Sequence, residues 1–221
     1  MIKFILAALI CYLIGCINPA YIIGKVKGYD IRSRGSMNAG ASNVMINVGK
    51  KAGVLTALFD IFKSFFCYRM AARLFPLYTA AAVFCAVCCV LGHIFPFYLK
   101  FKGGKGFASL GGVVLGFNVK VFFIMLFCAF LIVLVIRYLC LITTLTALSF
   151  PVIYFGMTGD YIGAAMLLLL GLIIIAKHIP NFIRIKNGTE ARFSGIWNRE
   201  AEEERIRVNT EKLEAKRANK D

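Results

Sequence analysis

Long apolar runs separated by short polar segments dominate the pattern of this chain. Six runs approach about 20 residues, the length of a helix that crosses a hydrocarbon core of roughly 30 Å. They cover residues 4–24, 52–75, 77–97, 121–136, 139–157 and 162–176. A seventh run, Phe107–Phe117, is rich in glycine and reaches only about half of that length. The pattern predicts an all-α, polytopic membrane helix bundle.

The distribution of lysine and arginine indicates that the short seventh run also crosses, because cytoplasmic loops carry an excess of basic residues. With that crossing, one face receives most of the basic side chains and the other receives four: Lys3, Arg69, Arg73 and Lys120. Without it, the basic tail from Lys177 onward would lie opposite the basic loop at 25–51. We therefore expect about seven transmembrane helices, with the N-terminus outside and the C-terminus cytoplasmic.

Composition supports a membrane protein and argues against a nucleic-acid partner. Hydrophobic residues make up 60% of the 221 residues, and the mean hydropathy is +0.77, too apolar for a soluble domain of this size. The net charge of +15 is concentrated in loops and in the C-terminal segment, as membrane topology requires. We divide the chain into a membrane domain at 1–190 and a charged cytoplasmic tail at 191–221.

Three polar segments share the basic face, and each contains groups suited to anion binding. The first, 34–43, mixes glycine, serine and asparagine before an apolar run. The second, 92–106, alternates lysine with paired glycines, a pattern that favours phosphate but lacks the spacing of a nucleotide-binding loop. The third, 178–190, supplies an imidazole, an amide and a carboxylate. Alternatively, they are ordinary turns, a basic surface loop and a helix cap.

These segments resemble the acyl-phosphate:glycerol-3-phosphate acyltransferase family (PlsY), of which the chain looks like a divergent member. The resemblance rests on G-S-x-N-x-G-A-S/T-N at 35–43, G-H-x-F-P with F-K-G-G-K-G at 92–106, and H-x-x-N with G-T-E at 178–190. Asp60 and Lys63 match the D-x-x-K of the second span, where they either hold helices together or lie near the site. Any one motif is weak, but the ordered set is specific.

The resemblance implies an enzyme of the bacterial cell membrane with its active site facing the cytoplasm. It would transfer a fatty acyl group from long-chain acyl phosphate to the 1-hydroxyl of glycerol 3-phosphate, giving lysophosphatidic acid and phosphate, the first step of phospholipid synthesis. Membrane lipids and the enzyme that supplies acyl phosphate are the expected partners. Neither a metal nor another cofactor is implied.

The residues that match the motifs are the candidates for the site. Lys102, Lys105, Ser36 and the backbone N–H groups of Gly103 and Gly104 would hold phosphates, while His178 and Asn181 would orient the attacking hydroxyl or a neighbouring phosphate. We assign catalytic roles to Ser36, Lys105, His178 and Asn181. Substrate-binding roles are expected for Asn38, Asn43, His93, Lys102, Gly103, Gly104, Gly106, Cys140, Thr143 and Glu190.

The chain departs from the family pattern at several positions. Ile46 stands where an arginine is usual, Met37 where a glycine is common, and Cys140 where a serine follows the R-Y-V motif. Arg32 or Arg34 could compensate for the missing arginine, and Thr143 or Thr144 for the serine. These departures keep open a catalytically silent relative that binds lipid or phosphate. A small membrane transporter is a further alternative, although it would place more ionisable residues within its spans.

Overall fold

The computed structural model describes residues 2–196 and 198–218 and is all-α over these residues. Trp197 and residues 219–221, part of the predicted tail, lie outside the described residues. Ten α-helices are present in the described part of the chain. They are α1 (Ile2–Cys16), α2 (Pro19–Val26), α3 (Ala41–Asn47), α4 (Lys50–Leu74), α5 (Thr79–Ile94), α6 (Phe107–Phe117), α7 (Val119–Ile136), α8 (Leu139–Thr158), α9 (Tyr161–Lys186) and α10 (Arg199–Ala218).

The predicted spans correspond closely to helices, with two informative differences. The first span is interrupted before Pro19, where the side chain of Asn18 caps α2 by accepting a hydrogen bond from the Tyr21 N–H at 2.8 Å. The last span extends ten residues beyond the predicted end, so His178 and Asn181 lie on the final turns of α9. That position fixes both side chains on one rigid element.

Five helical segments in the described chain are long and apolar enough to cross a membrane, namely Ile2–Val26, Thr79–Leu99, Val119–Ile136, Leu139–Thr158 and Tyr161–Lys186. Helix α6 is shorter, and α4 has 25 residues but carries Asp60 and Lys63 within its length. Helix α7 buries only Val133 and leaves large apolar side chains exposed, as expected of a lipid-facing helix. Seven crossings and the orientation of the termini remain predictions.

Glycines set the distance between the helices of the core. A Cβ atom on Gly15 of α1 would lie 2.0 Å from the Cys89 carbonyl oxygen of α5, and one on Gly92 of α5 would lie 2.1 Å from the Tyr12 carbonyl oxygen. The α4–α6 crossing is equally close at Gly112. Helices in lipid gain little from apolar burial alone, so such small residues allow the close backbone packing that holds them together.

A buried cluster of ionisable groups joins three of these helices and the break between α1 and α2. Asp60 and Lys63 of α4 form an ion pair at 2.6 Å, and Nδ1 of His93 on α5 lies 3.2 Å from the same carboxylate oxygen. Lys63 also donates hydrogen bonds to the carbonyl oxygens of Gly15 and Ile17, at 3.1 and 3.0 Å. Because these carbonyls lie at the interruption between α1 and α2, the cluster satisfies backbone groups that the helix break exposes.

The α4–α6 crossing yields a test with neighbouring glycines. Gly112→Ala would place a Cβ atom 2.0 Å from the Ile61 carbonyl oxygen, so the helices must separate, and we expect a loss of about 1–3 kcal/mol of stability. Gly111→Ala is the control, because its Cβ would meet the Phe122 ring at an ordinary 3.7 Å. Thermal unfolding in detergent measures the difference. Equal melting temperatures for the two variants would contradict the packing described here.

Candidate active site

Asn43 organises the first polar loop from the inside. Its side-chain oxygen accepts a hydrogen bond from the Ser36 N–H at 2.9 Å, and its amide nitrogen donates to the carbonyl oxygens of Ile31, Arg34 and Asn38. The residue is fully buried. Through these hydrogen bonds Asn43 determines the shape of the loop that carries Ser36 and Asn38.

The glycines of the second loop act through close packing. The N–H groups of Gly103 and Gly104 donate to the carbonyl oxygens of Ile94 and His93, at 3.0 and 3.1 Å. Both N–H groups are therefore hydrogen-bonded within the protein. A Cβ atom on Gly104 would lie 2.0 Å from Nε2 of His93 and 3.0 Å from the Ala39 carbonyl oxygen, so glycine is needed for the loop to pack this closely.

His93 lies beneath this loop and not on its open side. The side chain is only 3% exposed, with Nδ1 in the Asp60–Lys63 cluster and Nε2 against Gly104. In this structure His93 supports the loop from below. The sequence motif located a residue next to the site, but the burial that removes it from solvent depends on the packing of α4 and α5.

Lys105 forms the centre of the candidate site. Its ammonium group donates a hydrogen bond to the side-chain oxygen of Asn181. Asn181 in turn donates to Oε1 of Glu190 at 2.6 Å, and the other oxygen of Glu190 accepts a hydrogen bond from Arg184 at 2.6 Å. The second and third polar segments therefore meet directly, and the packing of Gly104 against Ala39 brings the first segment alongside them.

The surroundings of Lys105 leave its amine less basic than a free lysine. Burial lowers the pKa of Lys105 from 10.5 to about 8; the nearby charge of Arg184 acts in the same direction and Glu190 opposes it. The ammonium form therefore predominates at neutral pH. A partly desolvated cation of this kind interacts strongly with a phosphate group, because little water has to be displaced from it.

One ring nitrogen of His178 is available to accept a proton or a hydrogen bond. Its Nδ1 lies 2.8 Å from the Ile174 carbonyl oxygen, which has no proton, so Nδ1 must be the donor. In the neutral ring, Nε2 then carries the lone pair and can accept a proton or a hydrogen bond. The side chain is 5% exposed, lies one helical turn from Ile174 on α9, and is close enough to Lys105 for their charges to interact.

Helix α8 places Cys140 near Lys105 and Glu190, and it carries Thr143 one turn further along. Cys140 interacts electrostatically with both of these charged groups. The hydroxyl of Thr143 donates to the Leu139 carbonyl oxygen at 3.1 Å, and Thr144 makes the equivalent bond to Cys140. Both hydroxyl protons are therefore committed within the helix, which leaves only oxygen lone pairs for another partner.

The remaining candidates differ in burial and in hydrogen bonding. Ser36 is partly buried, and its hydroxyl makes no hydrogen bond with residues 2–196 or 198–218. Asn38 is also partly buried and packs against Gly40. Lys102 is exposed, while Gly106 has a positive φ of 91° and forms the N-cap of α6. The dipole at the start of α6 favours an anion beside Lys105.

The arginines near the first loop have partners within the protein. Arg32 forms an ion pair with Asp30 at 2.7 Å and donates to the carbonyl oxygens of Leu99 and Lys102. Arg34 stacks over the Tyr29 ring at 4.1 Å. A further guanidinium near Lys105 is that of Arg184, which lies within the third polar segment but was not among the residues assigned to the site.

The comparisons with known proteins agree with this geometry. A family model described as glycerol-3-phosphate acyltransferase matches residues 5–188. The chain belongs to this family. A glycerol-3-phosphate acyltransferase of Clostridioides difficile (strain 630) is 35% identical over 195 residues, covering 86% of this chain and 95% of the relative. A relative in Staphylococcus haemolyticus (strain JCSC1435) is 36% identical, and the match covers 83% of this chain and 95% of the relative.

Solved structures of the family share the fold. A crystal structure of PlsY (YgiH), an integral membrane glycerol 3-phosphate acyltransferase in its glycerol 3-phosphate form, is 32% identical with a TM-score of 0.82. The match covers 88% of this chain and 97% of the chain in that crystal structure. The lysophosphatidic acid form is 31% identical with a TM-score of 0.76, over 88% of this chain and 98% of its own. Membership therefore includes the membrane fold as well as the motifs.

One departure from the family pattern has a direct structural cost. Met37 has a φ of 54° and is 69% exposed, in a left-handed conformation that costs a residue with a side chain about 1–2 kcal/mol. We expect Met37→Gly to raise stability by up to about 1 kcal/mol, because relief of strain exceeds the added freedom of the unfolded chain. Met37→Ala retains the strain and should show no gain. Thermal unfolding in detergent compares them, and an equal gain in both variants would argue against strain.

Proposed function

We propose that this protein transfers a fatty acyl group from acyl phosphate to the 1-hydroxyl of glycerol 3-phosphate, giving lysophosphatidic acid and phosphate. The observation that carries the proposal is the continuous set of hydrogen bonds from Lys105 through Asn181 to Glu190, which joins the second and third motifs, while Ala39 of the first motif packs against Gly104. The family match and the glycerol 3-phosphate and lysophosphatidic acid forms of the related structures support it.

Lys105 is suited to neutralise phosphate at the point where charge develops. Acyl phosphate is a mixed anhydride, so attack by a hydroxyl oxygen on its acyl carbon breaks the bond to phosphate without a covalent enzyme intermediate. The ammonium of Lys105 and the start of α6 stabilise the departing phosphate. Asn181 holds the lysine in place and is itself held by Glu190, so the cation is positioned before substrate arrives.

His178 is the candidate acceptor for the proton of the attacking hydroxyl. With Nδ1 bonded to the Ile174 carbonyl oxygen, Nε2 is available as a hydrogen-bond acceptor. As the new ester C–O bond forms, the proton leaves the hydroxyl for Nε2 and is finally carried by the released phosphate. Ser36, Asn38, Lys102 and Gly106 complete the proposed surface for the two phosphate groups, while Cys140 and Thr143 border it on α8.

The setting of the reaction follows from the same proposal. The acyl chain would lie among exposed apolar side chains of the bundle, in contact with membrane lipid. We propose a multi-pass protein of the bacterial cell membrane whose site faces the cytoplasm, where glycerol 3-phosphate is soluble. An enzyme that supplies acyl phosphate would act immediately before it.

Turnover by the purified protein tests the proposal. In detergent, with palmitoyl phosphate and glycerol 3-phosphate, we expect equal amounts of phosphate and lysophosphatidic acid. Lys105→Ala and His178→Ala should each reduce kcat/KM by about 100-fold or more, as expected for removal of a charge-stabilising or proton-accepting group. Lys120→Ala is the matched control, because Lys120 is an exposed lysine at the start of α7.

Other outcomes favour other functions. Parent protein that is folded but gives no product would favour the catalytically silent relative. Flux of glycerol 3-phosphate into sealed vesicles without product would favour the transporter. Normal turnover by both Lys105→Ala and His178→Ala would remove these residues from the site.

The pKa of Lys105 predicts the alkaline side of the pH profile. Its ammonium form is required for phosphate binding, so kcat/KM should fall as pH rises through about 8 and approach a tenfold loss per pH unit above it. In Lys105→Arg the guanidinium stays charged, so this decrease should disappear, although the maximum will be lower because the geometry differs. Stopped assays from pH 6 to pH 10 measure it. An unchanged decrease in Lys105→Arg would assign it to another group.

A further inference from the structure

Helix α10 lies beyond the segment that matches the family and packs against the third motif. Arg205 donates from its two terminal nitrogens to the carbonyl oxygens of Gly188 and Glu190, at 2.6 and 2.7 Å. Asn209, one turn further along, donates to the same Gly188 oxygen at 2.8 Å. Glu202 binds Arg205 at 2.6 Å and accepts a hydrogen bond from the Arg192 N–H at 2.7 Å. Both sides of the 188–192 turn are thereby attached to the helix.

Two ion pairs, each between residues three positions apart, show which face of α10 packs against the 188–192 turn and which face is exposed to solvent. In the Glu202–Arg205 pair the side chains are 13% and 19% exposed, whereas in the Glu204–Arg207 pair they are 55% and 67% exposed. Exposed pairs contribute little to stability. Arg205 is different because its planar group satisfies two backbone carbonyls at once, a geometry that lysine does not reproduce.

The turn held by Arg205 leads directly to the site. Its Glu190 backbone is fixed by Arg205, and its Glu190 side chain receives hydrogen bonds from Asn181 and Arg184. Asn181 then binds the ammonium of Lys105. Three successive contacts therefore connect a polar helix outside the membrane bundle to the proposed phosphate-binding cation.

We propose that Arg205 is a positioning residue, through which the appended helix α10 sets the placement of Glu190, Asn181 and Lys105 for the phosphate of the substrate. This inference rests on the proposed function for its effect on turnover, but the geometry it describes can be measured without turnover. The helix would thus take part in the site of this protein although it contributes no group to the reaction.

Full-length Arg205→Gln, Arg205→Lys and Arg207→Gln form the test. We expect Arg205→Gln to reduce kcat/KM for glycerol 3-phosphate by about tenfold, since small displacements in a positioned site have effects of this order. Arg205→Lys should recover only part of this loss, because it keeps the charge but loses the paired hydrogen bonds. Arg207→Gln should match the parent, since it removes the same charge from the outer face.

The pH dependence separates positioning from a simple change in charge. Glu190 stabilises the ammonium of Lys105, so loosening Glu190 should lower the pKa of Lys105 and move the alkaline decrease to lower pH. Loss of a positive charge alone would act in the opposite direction, because the field at Lys105 would become less positive. The two explanations therefore predict shifts of opposite sign in Arg205→Gln.

A measurement without substrate keeps this inference distinct from the proposed function. The rate at which an amine-reactive reagent labels Lys105, followed by mass spectrometry across pH, reports the deprotonated fraction directly. Its midpoint should be lower in Arg205→Gln than in the parent and unchanged in Arg207→Gln. If the parent shows no turnover, the proposed function fails, and the labelling still decides whether Arg205 positions the site.

Defined results would overturn the proposal. They are a folded Arg205→Gln protein with the midpoint and kcat/KM of the parent, or equal losses in Arg205→Gln and Arg207→Gln. If thermal unfolding shows that Arg205→Gln does not fold, Asn209→Ala decides instead, since it removes one contact to Gly188. A lower labelling midpoint in Asn209→Ala supports positioning, and an unchanged midpoint contradicts it.

Discussion

The buried cluster of Asp60, Lys63 and His93 is the interaction on which the arrangement of the site depends. An ion pair in the interior of a membrane bundle is costly unless its groups are fully paired. Here Lys63 uses its protons on Asp60 and on carbonyls at the break between α1 and α2. His93 extends the same cluster to the glycine loop. The cluster therefore fixes the break, two core helices and the base of the phosphate loop together.

The residues of the three motifs have two different roles in this fold. Asn43, His93 and the glycines at 103 and 104 shape the loops and are saturated by protein contacts. Lys105, Asn181 and His178 are the residues to which we assign roles in the proposed reaction. Reacting groups need supporting groups that hold them within a fraction of an ångström, which is why so much of each motif is structural.

Glycine serves this bundle in two ways. Within helices, Gly15, Gly92 and Gly112 allow backbones to approach where larger residues would separate them. In the loops, Gly35 has a φ of 57° and leaves room for Asn43 and Asn47, while Gly106 has a φ of 91° and opens α6. Met37 adopts a similar left-handed conformation without that freedom. The difference shows that the loop is held in shape by Asn43 strongly enough to tolerate local strain.

The sequence by itself determined the helical class and the positions of the apolar helices and named the candidates for the site, because apolar length, basic loops and ordered motifs are local properties of the chain. It correctly placed α6 at Phe107–Phe117 and brought forward Lys105, Asn181 and Glu190. The tertiary structure alone decided which polar groups remain open to a ligand. The occupied N–H groups of Gly103 and Gly104, the burial of His93 and the docking of Arg205 depend on packing that fixes which donor meets which acceptor. No local pattern encodes those pairings.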